Sequence, residues 1–131
     1  MPFVLDASVA VAWAYADQHP SALEAQKRIA GEHAFVPSLW WFEVRIVLII
    51  HERRGRLSEL ETAGALRDLS LLPMVVDHAP DEQIVLALAR RHRLTVYDAA
   101  YLELAQREHV PLATLDTALL RAARLEHVPL L

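Results

Sequence analysis

Short apolar runs at 3–5, 34–36, 73–76, 112–114 and 128–130 recur along the chain, and the stretches between them carry apolar residues at helical spacing. No other feature constrains the fold as much. Strands of three or four residues separated by helices can join only through crossovers, which build a parallel sheet with helices packed on its faces. The expected helices cover 8–15, 20–31, 38–54, 58–71, 80–92, 98–109 and 117–126. Proline placement agrees, with Pro20, Pro37 and Pro80 at helix starts and Pro73, Pro111 and Pro129 where strands begin. The expected fold class is α/β, a three-layer α/β/α arrangement around a central parallel sheet of about five strands. The 131 residues fit one domain over 1–131 with a single core.

The pentapeptide EHVPL occurs at 108–112 and again at 126–130. Each copy ends a helix on a histidine and starts a strand, so it reads as one helix-to-strand turn used twice. His109 and His127 are then expected as helix caps or C-terminal cations rather than metal ligands.

Composition removes several chemistries. The chain has no cysteine, which excludes disulfides, thiolate metal sites and a cysteine nucleophile. Hydrophobic residues make up 54% of it, yet no run approaches the roughly 18 apolar residues of a membrane span. The N-terminal MPFVLDAS has no basic segment ahead of its apolar stretch, so a cytoplasmic protein is expected, with no membrane partner. The net charge of −4 is unlike the basic footprint of most nucleic-acid binders. Committing four carboxylates to a cation would leave the remainder balanced, and Arg53-Arg54-Gly55-Arg56 and Arg90-Arg91-His92-Arg93 offer local positive charge. Solvated helix ends account for those clusters equally well. Twelve of the 13 basic residues are arginine, a bias that suits phosphate but also arises from composition alone.

Four acids occupy positions that need explaining. In FVLDASVAVAW, Asp6 follows an apolar strand and precedes a helix. It reads either as a helix cap or as a carboxylate at the strand end where open α/β sheets place ligands. In PSLWWFEVRIVLIIHERRG, Glu43 shares a helical stripe with Leu39, Ile46, Val47 and Ile50, a buried setting that a carboxylate takes only with a partner. Asp98 opens the helix of LTVYDAAYLELAQ, where the helix dipole alone would favour it. Asp116, in VPLATLDTALLRAA, repeats the setting of Asp6. Singly, each aspartate reads as a cap. Together, Asp6 and Asp116 fall at one edge of a parallel sheet, within reach of Glu43 and Asp98 from neighbouring helices. Each close carboxylate pair costs about 4 kcal/mol at 4 Å and an effective dielectric of 20. The group therefore demands protons or a divalent cation, and all-oxygen ligation suits Mg²⁺ or Mn²⁺ rather than zinc. Ser8 and Thr114 are placed to hold carboxylates or waters.

The ordered set VLDAS, WWFEV, VYDAAYLELA and LATLD, from about residue 3 to residue 130, resembles PIN-domain nucleases. With the length and PSLWWFEV…ERRGR, it looks like the toxin subunit of VapBC-type toxin–antitoxin pairs. The resemblance implies a metal-dependent endoribonuclease that hydrolyses single-stranded or loop RNA. Asp6, Glu43, Asp98 and Asp116 would be its catalytic and metal-binding residues, Ser8 and Thr114 its small hydroxyl positions, and Mg²⁺ or Mn²⁺ its cofactor. It further implies a homodimer and a VapB-type antitoxin whose segment fills the acidic groove. Ile46 departs from the family, which commonly has asparagine three residues after the helix glutamate. Trp40, Trp41, Tyr97 and Tyr101 are candidates for stacking on bases, although packing explains aromatics at such positions better. A phosphoacceptor receiver is disfavoured, because the first strand ends in one aspartate and the sole lysine, Lys27, lies in a helix. Ser8 likewise disfavours an Asp-x-Asp phosphatase. A catalytically inactive PIN fold serving as an interaction module is the alternative, separable by metal binding.

Overall fold

The computed structural model describes residues 1–15 and 19–131. Among them four strands, β1 (Phe3–Leu5), β2 (Ala34–Pro37), β3 (Met74–Asp77) and β4 (Leu112–Ala113), form one parallel sheet in the order β3-β2-β1-β4. Seven helices flank it: α1 (Ala7–Ala12), α2 (Pro20–Ile29), α3 (Trp40–Arg53), α4 (Glu59–Ser70), α5 (Glu82–His92), α6 (Val96–Glu108) and α7 (Thr117–Leu125). The expected α/β class holds. The fifth expected strand, 128–130, shrinks to a single bridge between Leu112 and Leu130. Pro129 has no N–H to extend the ladder, although its carbonyl accepts from the Leu112 amide at 2.9 Å.

The strand order decides where a ligand can sit. From β1 the chain runs outward through β2 to β3, then returns to the other side of β1 for β4. Helical crossovers therefore diverge above the β1/β4 boundary, which makes the carboxyl ends of those two strands the place where such sheets take ligands. The register aligns Leu5 with Ala113, so the residues that follow, Asp6 and Thr114, emerge side by side.

Both faces of the central strands are covered. Phe3, Val4 and Leu5 are all fully buried, as a parallel strand flanked on both sides requires. Helix α6 lies against β1, β2 and β4, with α5 and α7 beside it. It was expected to be amphipathic, yet every residue from Ala99 to Ala105 is buried. The middle of this central helix is enclosed all round, which its small alanines permit. Even Glu103, 1% exposed, lies inside. Its carboxylate accepts from the Asp81 amide and from Arg107 at 2.9 Å each, and Arg107 spans onward to Asp77 at the end of β3. One buried charge thereby ties α6 to the edge strand and to the start of α5.

Helices α3, α5, α6 and α7 end in a common way. Gly55, Arg93, His109 and His127 are the positive-φ residues among those described, and after each an amide returns to a carbonyl five residues back: Arg56 to His51, Leu94 to Ala89, Val110 to Ala105 and Val128 to Ala123. This is the left-handed helix stop, closed by an apolar residue that docks beyond it. Leu94, Val110 and Val128 are buried accordingly. The two EHVPL segments are thus the same turn, and their histidines are caps. Arg90, Arg91 and His92 occupy the last turn of α5, where Arg91 and His92 both bind Glu126 at 2.9 Å. Arg91 and His92 of that cluster are committed to an ion pair at the helix end.

Replacing Glu103 by alanine removes the acceptor for two donors and is expected to cost about 1.5–3 kcal/mol, the range for hydrogen bonds to charged groups. The check is a urea titration, in which the midpoint falls while the slope stays unchanged.

Candidate active site

Asp6 stands at the carboxyl end of β1 as the residue preceding α1, but its side chain makes no cap to that helix. It is 4% exposed. Two hydroxyls serve it instead, Ser8 Oγ at 2.7 Å and Thr114 Oγ1 at 2.6 Å, both donating to Oδ2. Each hydroxyl in turn accepts a backbone amide, Leu115 N–H to Ser8 at 2.9 Å and Asp116 N–H to Thr114 at 3.0 Å. The amides occupy hydroxyl lone pairs, so the single proton on each oxygen is directed at Asp6. The loop after β4 thus fixes one carboxylate oxygen and leaves Oδ1 without a hydroxyl donor. The cap reading of Asp6 fails, and the placement of Ser8 and Thr114 as supports holds.

Asp116 combines both readings. Its Oδ1 caps α7 by accepting from the Leu119 amide at 2.8 Å, and its charge acts on Asp6, Glu43 and Asp98. Asp98 lies in the first turn of α6, one turn inside the Thr95 cap, whose hydroxyl accepts the Asp98 amide at 3.1 Å. Glu43 arrives from the first turn of α3. That helix buries the stripe Trp40, Val44 and Leu48, while Leu39, Glu43, Val47 and Ile50 are half-buried beside it. Ile46 was expected on the same stripe but is 54% exposed. At three residues beyond Glu43 it falls on the outer side, because the core stripe runs at a spacing of four.

The electrostatics of Asp6, Glu43 and Asp98 are one-sided. Burial pushes the Asp6 carboxyl up, the Thr114 and Ser8 hydroxyls oppose the rise, and Asp116 adds to it. Burial raises Glu43 to about 7, with Asp6, Asp98 and Asp116 contributing repulsion. Asp98 is raised to about 6 by burial and then by Asp116 and Asp6. No basic side chain figures among the influences on these three groups. Glu43 Oε1 is buried without a hydrogen-bond partner, as is the hydroxyl of Tyr101.

Whether a divalent cation fits follows from that donor set. Among the described residues no three acids or imidazoles converge into a ready-made cage, so a fully protein-ligated ion does not fit. A hydrated cation does, since Mg²⁺ keeps several waters and takes one or two carboxylates directly. The orphaned Glu43 oxygen and the uncompensated negative charge point the same way. Asp6, Glu43, Asp98 and Asp116 are the residues that would hold such an ion.

A family model for the PIN domain matches residues 3–125. The chain belongs to the PIN-domain family. Ribonuclease VapC3 of Pyrobaculum aerophilum is 34% identical to this PIN domain over 118 residues, spanning 88% of the chain and 89% of that protein. The crystal structure of PAE2754 from the same organism matches with a TM-score of 0.71 at 26% identity, covering 93% of this chain and 79% of that one. Mycobacterium tuberculosis VapC20, described as a sarcin–ricin loop cleaving toxin, matches with a TM-score of 0.62 at 13% identity over 93% of this chain and 95% of that one. At that identity the likeness concerns the fold. Within its family the chain is similar to VapC-type ribonucleases.

Two of the aromatics considered for base stacking are placed otherwise. Tyr101 is fully buried and Trp40 nearly so, which removes both from any substrate surface, whereas Trp41 and Tyr97 are exposed. Tyr101 belongs to the surroundings of the site all the same. It stands three residues after Asp98 on one helix face, a spacing that could have exposed its place beforehand.

The raised carboxyls set a pH dependence in the cation-free protein. Their folded affinity for protons exceeds the unfolded one, so the stability they contribute is complete below about pH 4 and is lost as pH rises through about 6 and 7. Thermal melts in EDTA from pH 5 to pH 8 should therefore show a falling Tm, with a shallower fall in Glu43→Gln. A Tm that rises over that interval would contradict the arrangement.

Proposed function

We propose that this PIN domain is a Mg²⁺- or Mn²⁺-dependent endoribonuclease that cleaves single-stranded or loop RNA, acting in the cytoplasm as the toxin of a toxin–antitoxin pair. The observation that carries the reading is the mutual repulsion felt by Asp6, Glu43 and Asp98, each raised by burial and by Asp116, with no basic side chain among the influences on them. Stability alone would not assemble that group, because Asp6 and Asp116 raise the cost of ionising Glu43 and Asp98. Perturbed carboxyls at a topological switch point are a functional signature.

Bound there, the cation supplies a Lewis acid that activates water and neutralises charge on the phosphodiester. Asp6 offers one oxygen while its other is fixed by Ser8 and Thr114. Asp116 does the same with Oδ1 committed to the α7 cap, so one oxygen of each aspartate is held by the surrounding chain. Glu43 and Asp98 add their carboxyls from α3 and α6. No histidine is needed as a base. The exposed Tyr97, one residue before Asp98, leaves an aromatic face available to an unpaired base.

The 34% identity to Ribonuclease VapC3 supports the ribonuclease reading. A VapB-type antitoxin is the expected partner, and a second copy of the chain the expected neighbour in a homodimer. The outer face of α3 supports an interaction, since Trp41, Phe42, Ile46 and Ile49 are all exposed there and contiguous apolar surface marks contact sites.

The partner-free protein is expected to cleave single-stranded RNA in Mg²⁺ and to lose that activity in EDTA. Thr114→Val, which removes one support of Asp6, should cost roughly 10–100-fold, and Asp6→Asn more than that. Cleavage that survives EDTA or Asp6→Asn would overturn the reading.

A further inference from the structure

We infer that Tyr101 is a positioning residue for Glu43: its buried hydroxyl is the donor placed to engage the Glu43 carboxylate and aim it at the cation site. The inference rests on the nuclease reading above and concerns a residue outside its four acids.

Three observations lead to it. Tyr101 is 0% exposed, the largest of the fully buried side chains, and its hydroxyl has no hydrogen-bond partner. Glu43 Oε1 is buried and partnerless as well. One orphan is a donor and the other an acceptor, and buried polar groups are rarely left unpaired. The two also act on each other directly, the phenol favouring the ionised carboxylate and the carboxylate disfavouring ionisation of the phenol.

The second observation is an asymmetry among the acids. Asp6 has the hydroxyls of Ser8 and Thr114. Asp116 has the Leu119 amide, and Asp98 has the Thr95 hydroxyl at its side. Glu43, on the longest side chain of the four, has Oε1 unpartnered and no basic side chain acting on it, and Tyr101 is the one hydrogen-bonding side chain among the influences on it.

The third is placement. Tyr101 sits one turn beyond Asp98 on α6, the helix that packs against β1 and β2 and so underlies both the Asp6 corner and the approach to α3. A ring locked in the core is a rigid post, and its hydroxyl adds the fixed donor that Glu43 lacks. Mg²⁺ and Mn²⁺ are exacting about oxygen geometry, so a carboxylate aimed in advance binds them more tightly than a free one.

The hydroxyl is tested by Tyr101→Phe, which keeps the ring. Isothermal calorimetry with Mn²⁺ on the whole partner-free protein should show affinity weakened about tenfold, the scale of one lost hydrogen bond to a charged group. In RNA cleavage kcat should fall while KM for RNA stays unchanged, and in a Glu43→Gln background the same change should weaken Mn²⁺ binding no further. Equal Mn²⁺ affinity in wild type and Tyr101→Phe would overturn the inference and leave the nuclease reading intact. Absence of Mn²⁺ binding by the wild type would remove both. Should Tyr101→Phe fail to fold, the wild type decides: on Mg²⁺ titration the Tyr101 Cζ resonance must shift, and an unmoved resonance overturns the inference.

Discussion

Asp6 is a buried carboxylate held only by neutral groups, and the rest of the site depends on that choice. Two hydroxyls, each oriented by a backbone amide from the loop after β4, satisfy one of its oxygens. An arginine in their place would have neutralised the charge. Hydroxyls give directional support without charge, so the negative potential of the cluster remains available to a cation. Asp116 follows the same plan, spending one oxygen on the α7 cap. The contrast with Glu103 is instructive. That acid is buried just as deeply, but Arg107 neutralises it and extends the pairing to Asp77. One acid is paired for stability and the other is kept unpaired, within one helix-and-sheet framework.

The surrounding fold supplies what such an arrangement costs. Charged groups held together against repulsion need a rigid scaffold, and the middle of the central helix α6 is enclosed on all sides. Its ends are pinned by Thr95 and by the left-handed stop at His109. The same stop recurs after α3, α5 and α7, so chain direction is set by local geometry at each return toward the sheet. Natural sequences agree with their fold at most levels and depart from it where function demands. Here the local rules hold at the helix ends and fail at the acids.

Much of this was legible in the sequence because it is local. The alternation of apolar runs and helical stretches gave the class and the position of every strand but the last. Leu130 kept only a bridge, since Pro129 interrupts the ladder. EHVPL was readable as a turn because a helix stop needs only a few neighbouring residues. Asp6, Glu43, Asp98 and Asp116 could be singled out from their settings, but their convergence depends on the strand order β3-β2-β1-β4, which no local pattern encodes. Ile46 was misplaced because a helix of nearly continuous apolar residues does not show which stripe faces the core. Tyr101 was a candidate for stacking with packing as the better explanation, and it packs in the core. Glu103 was hidden in an alanine-rich helix that looked amphipathic.

The most direct test is the position of a bound cation. Crystals of the partner-free protein soaked in Mn²⁺ should give an anomalous peak at the carboxyl ends of β1 and β4, within coordination distance of Asp6 and Asp98. That result would mean that the repulsion among the acids is resolved by a metal. A peak elsewhere, or none at saturating Mn²⁺ with the acids turned into hydrogen bonds of their own, would mean that the cluster is held by protons and does not bind metal.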